Sequence, residues 1–116
     1  MKNEEYYIRG KIVAICEAVI AEEIGIIAAS RRLSALGFEL FNGHNEDFIL
    51  FVGVDSETDH LPVDIERKNW SAEALKRKDE EIAEADAFYK NNVMAACRKL
   101  IERFAFWNDS ESRRLV

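Results

Sequence analysis

The sequence is poor in the residues on which small disulfide-bonded or metal-stabilised domains depend. Its 116 residues include only two cysteines, two histidines and one proline. No cysteines have the spacing of a zinc motif and histidine is scarce, which argues against a structural zinc site. A chain of this length buries roughly two thirds of its unfolded surface, so a core can form without disulfides or metal. We therefore expect a single domain at 1–116 and no cofactor. The last residues, at about 108–116, are predicted to be a frayed tail because apolar side chains become sparse there.

The two cysteines, Cys16 and Cys97, are far apart in the sequence. Each lies on an apolar stripe with helical spacing. In a reducing compartment, cysteines of this kind are more often buried thiols than partners in a disulfide. We interpret both as buried thiols, which are chemically inert.

Long apolar runs are also missing. The longest uninterrupted run is far shorter than the roughly 20 residues that a membrane-spanning helix needs. The N-terminal residues 1–5 have the wrong charge for a signal peptide, and no apolar run with a small-residue cleavage site follows them. The sequence therefore predicts a cytoplasmic protein.

The acidic side chains are concentrated in the middle of the chain. The formal net charge is −6, and residues 38–71 alone carry eight acidic and two basic side chains, whereas the segments on either side are each neutral. This distribution argues against nucleic acid and against an anionic membrane surface as partners. It is typical of a protein that binds a cation or a basic protein. The alternative is that these acidic side chains are simply exposed to water at turns and strand ends and bind no partner.

Two long helices are predicted from apolar residues that recur every three or four positions. The first covers residues 4–36, with a bend or break near Gly25 and Gly37 as the residue that ends it. The second covers residues 72–106, with Ser71 as its N-cap. Its apolar stripe is Ile82, Ala85, Tyr89, Val93, Ala96, Leu100 and Phe104, widened by Phe88, Cys97 and Ile101.

Between the helices, the pattern favours strands. Residues 38–42 and 48–54 are predicted as antiparallel strands joined by a turn at 43–46. Residues 61–65 alternate apolar and polar side chains. They are the third strand if the meander has three strands, and Pro62 would confine this strand to an edge. The predicted fold is α+β: a long bent N-terminal helix, a small antiparallel meander of two or three strands, and a long C-terminal helix.

The candidate site is the acidic loop after the predicted strand at 48–54. Asp55, Glu57, Asp59 and His60 are the candidate metal ligands, because alternate carboxylates suit hard cations. The loop lacks the glycine and the final glutamate of a calcium-binding loop, so a plain turn is the alternative.

Three functions remain open at this stage. The leading hypothesis is a small acidic binding module that recognises a basic protein partner, with Glu57, Asp59 and Asp64 as its binding residues. The second is a metal-binding domain or metal-dependent enzyme centred on the loop from Asp55 to His60. The third is a subunit that serves only assembly. We do not favour an enzyme, because no phosphate loop or nucleophile motif occurs.

The pattern also predicts a homodimer. The strand at 48–54 is apolar on both faces, and Ile49 and Phe51 lie on the face that two helices would leave uncovered. Leaving them in water forgoes roughly 1.5–3 kcal/mol of burial each. A two-fold contact would bury Ile49 and Phe51 against their copies. A monomer whose bent first helix covers this face is the alternative.

Overall fold

The chain folds into helices throughout. The computed structural model describes the backbone of residues 2–115 and the side chains of residues 4–104. Between Lys2 and Leu115 it contains four α-helices, two short 3₁₀ helices and no strand. In chain order these are α1 (Lys2–Ile20), α2 (Ile26–Phe41), the first 3₁₀ helix (Glu46–Phe48), α3 (Ile49–Glu57), the second 3₁₀ helix (Asp64–Asn69) and α4 (Ala72–Leu115).

The predicted α+β fold is therefore wrong, and the strand at 48–54 is the central error. This segment forms most of α3. Phe48, the last residue of the first 3₁₀ helix, and Phe51 and Val54 of α3 recur every third residue and are all buried. A short apolar run has the composition of a buried strand and of a buried helical segment alike, and periodicity does not separate them. The possible third strand at 61–65 is also absent, because its last two residues begin the second 3₁₀ helix.

The predicted strand at 38–42 is the C-terminal part of α2. Gly37 does not end this helix, which continues to Phe41 and ends where Asn42 adopts the left-handed conformation with φ of 51°. The turn predicted at 43–46 is shifted: the chain turns at Asn42 and at Gly43, which has a positive φ of 152° that favours glycine, and Glu46 already begins the first 3₁₀ helix. Gly37 instead lies directly beneath the ring of Phe48, where any Cβ atom would clash.

Other parts of the prediction are confirmed. The first helical region breaks near Gly25, since α1 ends at Ile20 and α2 begins at Ile26. Ser71 caps α4, because its hydroxyl oxygen accepts a hydrogen bond from the backbone N–H of Ala74 at 3.1 Å. The predicted frayed tail at about 108–116 involves side chains outside the described residues and stays a prediction.

The core lies where α1, α2 and α3 pack against the middle of α4. The apolar stripe predicted for α4 supplies Val93, Leu100 and Phe104, all of them buried. A smaller cluster forms where Leu61 and Val63, after α3, cover the start of α2. The main core consists of Ile8, Ile12, Val13, Cys16, Val19, Ile26, Ala29, Leu33, Phe48, Phe51, Val54, Val93, Cys97, Leu100 and Phe104.

The start of α2 is capped by a side chain from α4. Gly25 occupies the N-cap position and has no side chain with which to bind the free N–H groups of the first turn. Asp86 replaces it: its Oδ1 accepts a hydrogen bond from the N–H of Ile27 at 3.0 Å, and the N–H of Ile26 also donates to this carboxylate. Burial raises the pKa of Asp86, and these two hydrogen bonds partly oppose the rise.

Removing this cap should destabilise the fold. We expect Asp86→Ala to lower the free energy of unfolding by about 1 kcal/mol, as for other N-caps, in urea denaturation followed by circular dichroism. Asp86→Asn keeps an oxygen acceptor and should stay close to the wild type at neutral pH.

The pH dependence tests the burial of the Asp86 carboxylate, because burial raises its pKa more than the capping hydrogen bonds lower it. The pKa of Asp86 is raised in the folded state, so its contribution is fully present below the unfolded pKa and is lost as pH rises through the folded pKa. The wild type should therefore gain stability relative to Asp86→Asn as the pH falls from neutral towards the ordinary aspartate range. An unchanged difference in stability across this range would contradict the burial of the charged carboxylate.

Candidate functional site

The residues predicted to form one loop site do not lie together, because the fold places them next to different side chains. Asp55 is the candidate drawn furthest from solvent. Its Oδ1 lies 3.2 Å from Nε of Arg31, whose side chain is only 16% exposed. The same guanidinium contacts Oε1 of Glu66 at 2.9 Å and donates to the carbonyl of Thr58. Asp55 is therefore ion-paired in a network that connects the end of α3 to α2 and to the second 3₁₀ helix.

The other candidates point elsewhere. The hydroxyl of Tyr89 donates a hydrogen bond to Glu57, and this bond raises the pKa of Tyr89. Nε2 of His60 lies 3.6 Å from Oε2 of Glu81 on α4. Asp59 is exposed. Glu57, Asp59 and His60 each lie at or just beyond the C-terminal end of α3.

The four predicted metal ligands do not converge on one point. Within residues 4–104, no group of three or more histidine, cysteine, aspartate or glutamate side chains is arranged to hold a metal ion. Asp64, predicted as a partner-binding residue, forms an ion pair with Arg32 at 3.0 Å. It lines a different groove from the one that contains Glu57.

Residues from the end of α3 and from the middle of α4 line a common groove. It has a volume of about 370 Å³. Thr58 and Leu61 are its buried members, and the hydroxyl of Thr58 donates to the carbonyl of Val54 at 2.6 Å. We call it the acidic groove; it is lined by Glu57, Thr58, His60, Leu61, Glu81, Glu84, Ala85, Phe88 and Tyr89.

The charge of the acidic groove is negative. Glu57, Glu81 and Glu84 line it, and all three are exposed. Glu81 is partly balanced by Lys78, whose Nζ lies 3.5 Å from Oε2. Glu84 makes no ion pair with any residue in the described part of the chain. Because positive charge is scarce here, the groove attracts cations and basic side chains.

A large aromatic ring stands at the edge of this groove. Phe88 is 75% exposed, and its ring meets that of Tyr89 edge to face with 4.9 Å between centroids. Tyr89 is in turn bonded to Glu57. An exposed aromatic side chain held by a neighbouring ring, beside carboxylates, presents both an apolar contact and a site for a cation.

The part of this groove that comes from α4 was not predicted from the sequence. Phe88 was predicted to widen the apolar stripe of α4, whereas its side chain faces solvent. Glu81, Glu84 and Phe88 follow one another at spacings of three and four residues, which places them on one face of the helix. That spacing was the available signal, but nothing local shows that this face meets the end of α3.

The two residues of the predicted dimer contact lie in different environments. Phe51 is completely buried within the core, whereas Ile49 is 61% exposed on the outer face of α3. The premise of an uncovered strand face is therefore wrong, and Phe51 is not available to a second copy. The homodimer itself stays a prediction.

A second, larger groove lies between the first 3₁₀ helix, α3 and α4. It has a volume of about 630 Å³, with Leu50, Ala96 and Leu100 among its apolar lining residues. Its charged residues are of both signs, and Arg103 donates a hydrogen bond to Asp47 across it. This groove therefore lacks the consistent charge of the acidic groove.

Comparison with protein-family models, curated proteins and solved structures found no match to this chain. In the part of the chain that the structure describes, no helix combines the length and the apolar character needed to cross a bilayer. The assignment of a function therefore depends on the geometry of the acidic groove.

Proposed function

We propose that this protein is a small cytoplasmic binding module that recognises a basic segment of a protein partner through the acidic groove. The observation that carries the proposal is the exposed ring of Phe88 beside Glu81 and Glu84. Aromatic residues at the centre of a contact supply much of its binding energy, and the surrounding charges supply specificity and speed of association.

An arginine side chain suits this arrangement. Its planar guanidinium can stack on an aromatic ring and bond a carboxylate with two parallel hydrogen bonds. The ring of Phe88 offers the stacking surface, and Glu84 offers a carboxylate without an ion-pair partner among the described residues. Glu57, which already accepts a hydrogen bond from Tyr89, adds a second negative charge in a fixed orientation.

The set of binding residues differs from the one predicted from the sequence. Glu57 and Asp59 remain in it, since both lie at the end of α3 next to the groove. Asp64 leaves it, because this side chain pairs with Arg32 in another groove. Glu81 and Glu84 take its place.

The proposal can be tested with an arginine-rich peptide as a probe. We expect the double substitution Glu81→Gln and Glu84→Gln to weaken binding at least about tenfold, which corresponds to about 1.4 kcal/mol. Phe88→Ala should weaken it by a similar factor without any change of charge. Fluorescence anisotropy with a labelled peptide measures both, and affinity should fall as salt is added, because exposed charges are screened beyond about 8–10 Å at physiological ionic strength.

The matched control changes the same number of charges elsewhere. Glu17 and Glu39 are exposed and do not line the acidic groove. Glu17→Gln with Glu39→Gln should leave the affinity within about twofold of the wild type, since the lost charges lie outside the contact. Equal weakening by the two double substitutions would mean that the peptide responds only to net charge, and the proposal would be wrong.

A further inference from the structure

The pair Asn42 and Gly43 forms the corner at which α2 ends. Asn42 has a left-handed backbone, with φ of 51° and ψ of 43°, and Gly43 follows with φ of 152°. The backbone N–H groups of both residues donate hydrogen bonds to the carbonyl oxygen of Phe38, that of Gly43 at 3.0 Å. No other asparagine in the sequence is followed by a glycine.

An asparagine followed by glycine has a nucleophile next to its own side chain. The backbone nitrogen of the following residue can attack the side-chain amide carbon and close a five-membered ring, and a side chain on the following residue hinders this approach. Gly43 has no side chain, and even an added Cβ atom would meet nothing within 4 Å. Asn42 is exposed, so water has access to the ring when it forms.

We propose that Asn42 is a site of spontaneous deamidation, and that the folded end of α2 slows the reaction by holding Asn42 in an unreactive conformation. The modified residue is the side chain that ends α2, and the reactants are the chain itself and water. This inference does not depend on the proposed binding function, because neither Asn42 nor Gly43 lines the acidic groove.

The backbone of Asn42 opposes ring closure in the folded protein. Closure joins the nitrogen of Gly43 to Cγ of Asn42, so Cβ and that nitrogen must lie on the same side of the Cα–C bond. With ψ of 43°, tetrahedral geometry at Cα places Cβ nearly opposite the nitrogen. The nitrogen must also lose its proton before it attacks, and this N–H is bonded to Phe38. Reaction therefore requires the last turn of α2 to open locally.

The reaction consumes one molecule of water. A base removes the proton from the nitrogen of Gly43, the nitrogen attacks Cγ of Asn42, and the bond from Cγ to Nδ2 breaks as ammonia leaves with a proton. Water then opens the ring. Cleavage of the C–N bond at Cγ gives aspartate, and cleavage of the C–N bond at the backbone carbonyl carbon gives isoaspartate. A carboxylate replaces the amide without any oxidation or reduction.

Either product should weaken the end of α2. The new carboxylate lies at the C-terminal end of the helix, where the free carbonyl groups already concentrate negative charge. Isoaspartate also inserts the Cβ atom of residue 42 into the main chain, so the left-handed cap loses its geometry. We therefore expect the modified protein to melt at a lower temperature than the unmodified one.

The test incubates the full chain at mildly alkaline pH, once folded and once unfolded in urea, and follows the Asn42 peptide by mass spectrometry. In urea, Asn42 should convert to aspartate and isoaspartate before any other asparagine. In the folded protein the same conversion should be at least about tenfold slower, because it waits for local opening. Asn45 is an internal control in the same peptide, since Glu46 follows it.

Gly43→Ala is the matched variant, because its added methyl group hinders the attacking nitrogen. In urea it should deamidate at least about tenfold more slowly than the wild type, and this comparison does not depend on how well the variant folds. The inference is overturned if another asparagine converts before Asn42 in urea. It is also overturned if Asn42 converts equally fast in the folded and the unfolded chain, since the end of α2 would then give no protection.

Discussion

Replacing Phe51 with aspartate should unfold the chain. The side chain of Phe51 is completely buried, and its ring lies 6.0 Å from that of Phe48. The substitution removes the burial of a large aromatic side chain and places a carboxylate in an apolar core, and such changes give losses above about 4 kcal/mol. A domain of this size has a total stability of about 5–15 kcal/mol. Circular dichroism and urea denaturation should show a largely unfolded or strongly destabilised protein.

Ile49→Asp is the matched control on the same helix. Ile49 is 61% exposed, so the same new charge should change the free energy of unfolding by no more than about 0.5 kcal/mol. Light scattering on this variant and on the wild type also tests the predicted homodimer, since each copy has a mass of 13.3 kDa. A folded Phe51→Asp protein beside an unfolded Ile49→Asp protein would contradict the burial pattern of α3.

Adding a single methyl group at Gly37 should have the second largest effect. A Cβ atom on this residue would lie less than 3.0 Å from three carbon atoms of the Phe48 ring. The ring is buried and cannot move aside without disturbing the core. Forced overpacking of this kind costs typically about 1–3 kcal/mol. We expect Gly37→Ala to lower the free energy of unfolding by about 2 kcal/mol in urea denaturation.

Gly10→Ala controls for the helical preference of alanine. Gly10 lies within α1, and a Cβ atom there would meet nothing within 4 Å. Alanine in a helix interior is favoured over glycine by about 0.5–1 kcal/mol, so this variant should be more stable than the wild type. The two glycine substitutions therefore have opposite expected signs. Stabilisation by Gly37→Ala would show that Phe48 does not pack on α2 as described.

The long helices could be predicted because their pattern repeats many times. The stripe of α4 passes through four or more turns, and the positions Val93, Leu100 and Phe104 could be placed in the core from spacing alone. The break near Gly25 could be predicted because the apolar stripe shifts by one residue around the helix there, from Ile15 and Val19 to Ile20 and Ile24. Repetition of this kind leaves little room for another structure.

The middle of the chain could not be predicted in the same way. Residues 48–54 are apolar at nearly every position, so no face distinguishes a helix from a strand. Phe48 and Phe51 are buried and Ile49 is exposed only because α3 packs against α2 and α4. Gly37 shows the same limit: the sequence suggests a helix end, but the ring that approaches it comes from a separate segment.

For the candidate site, the sequence predicts the local acidity but not the tertiary contacts around it. The acidic character of residues 55–60 is a local property and was visible. The partner that neutralises Asp55 is Arg31, more than twenty residues earlier, and the rest of the groove comes from Glu84 and Phe88 on α4. Tertiary contacts decide which of these charges stay available, and a local pattern carries no information about them.

The cap that Asp86 places on α2 has a consequence for the order of folding. The donors of the first turn of α2 find their acceptor on a residue 59 positions later in the chain. Until α4 docks, the start of α2 lacks this acceptor and stays frayed, although its own sequence favours a helix. Closing so long a loop costs entropy before the contact repays it. We therefore expect the first turn of α2 to form together with the docking of α4, as one cooperative step.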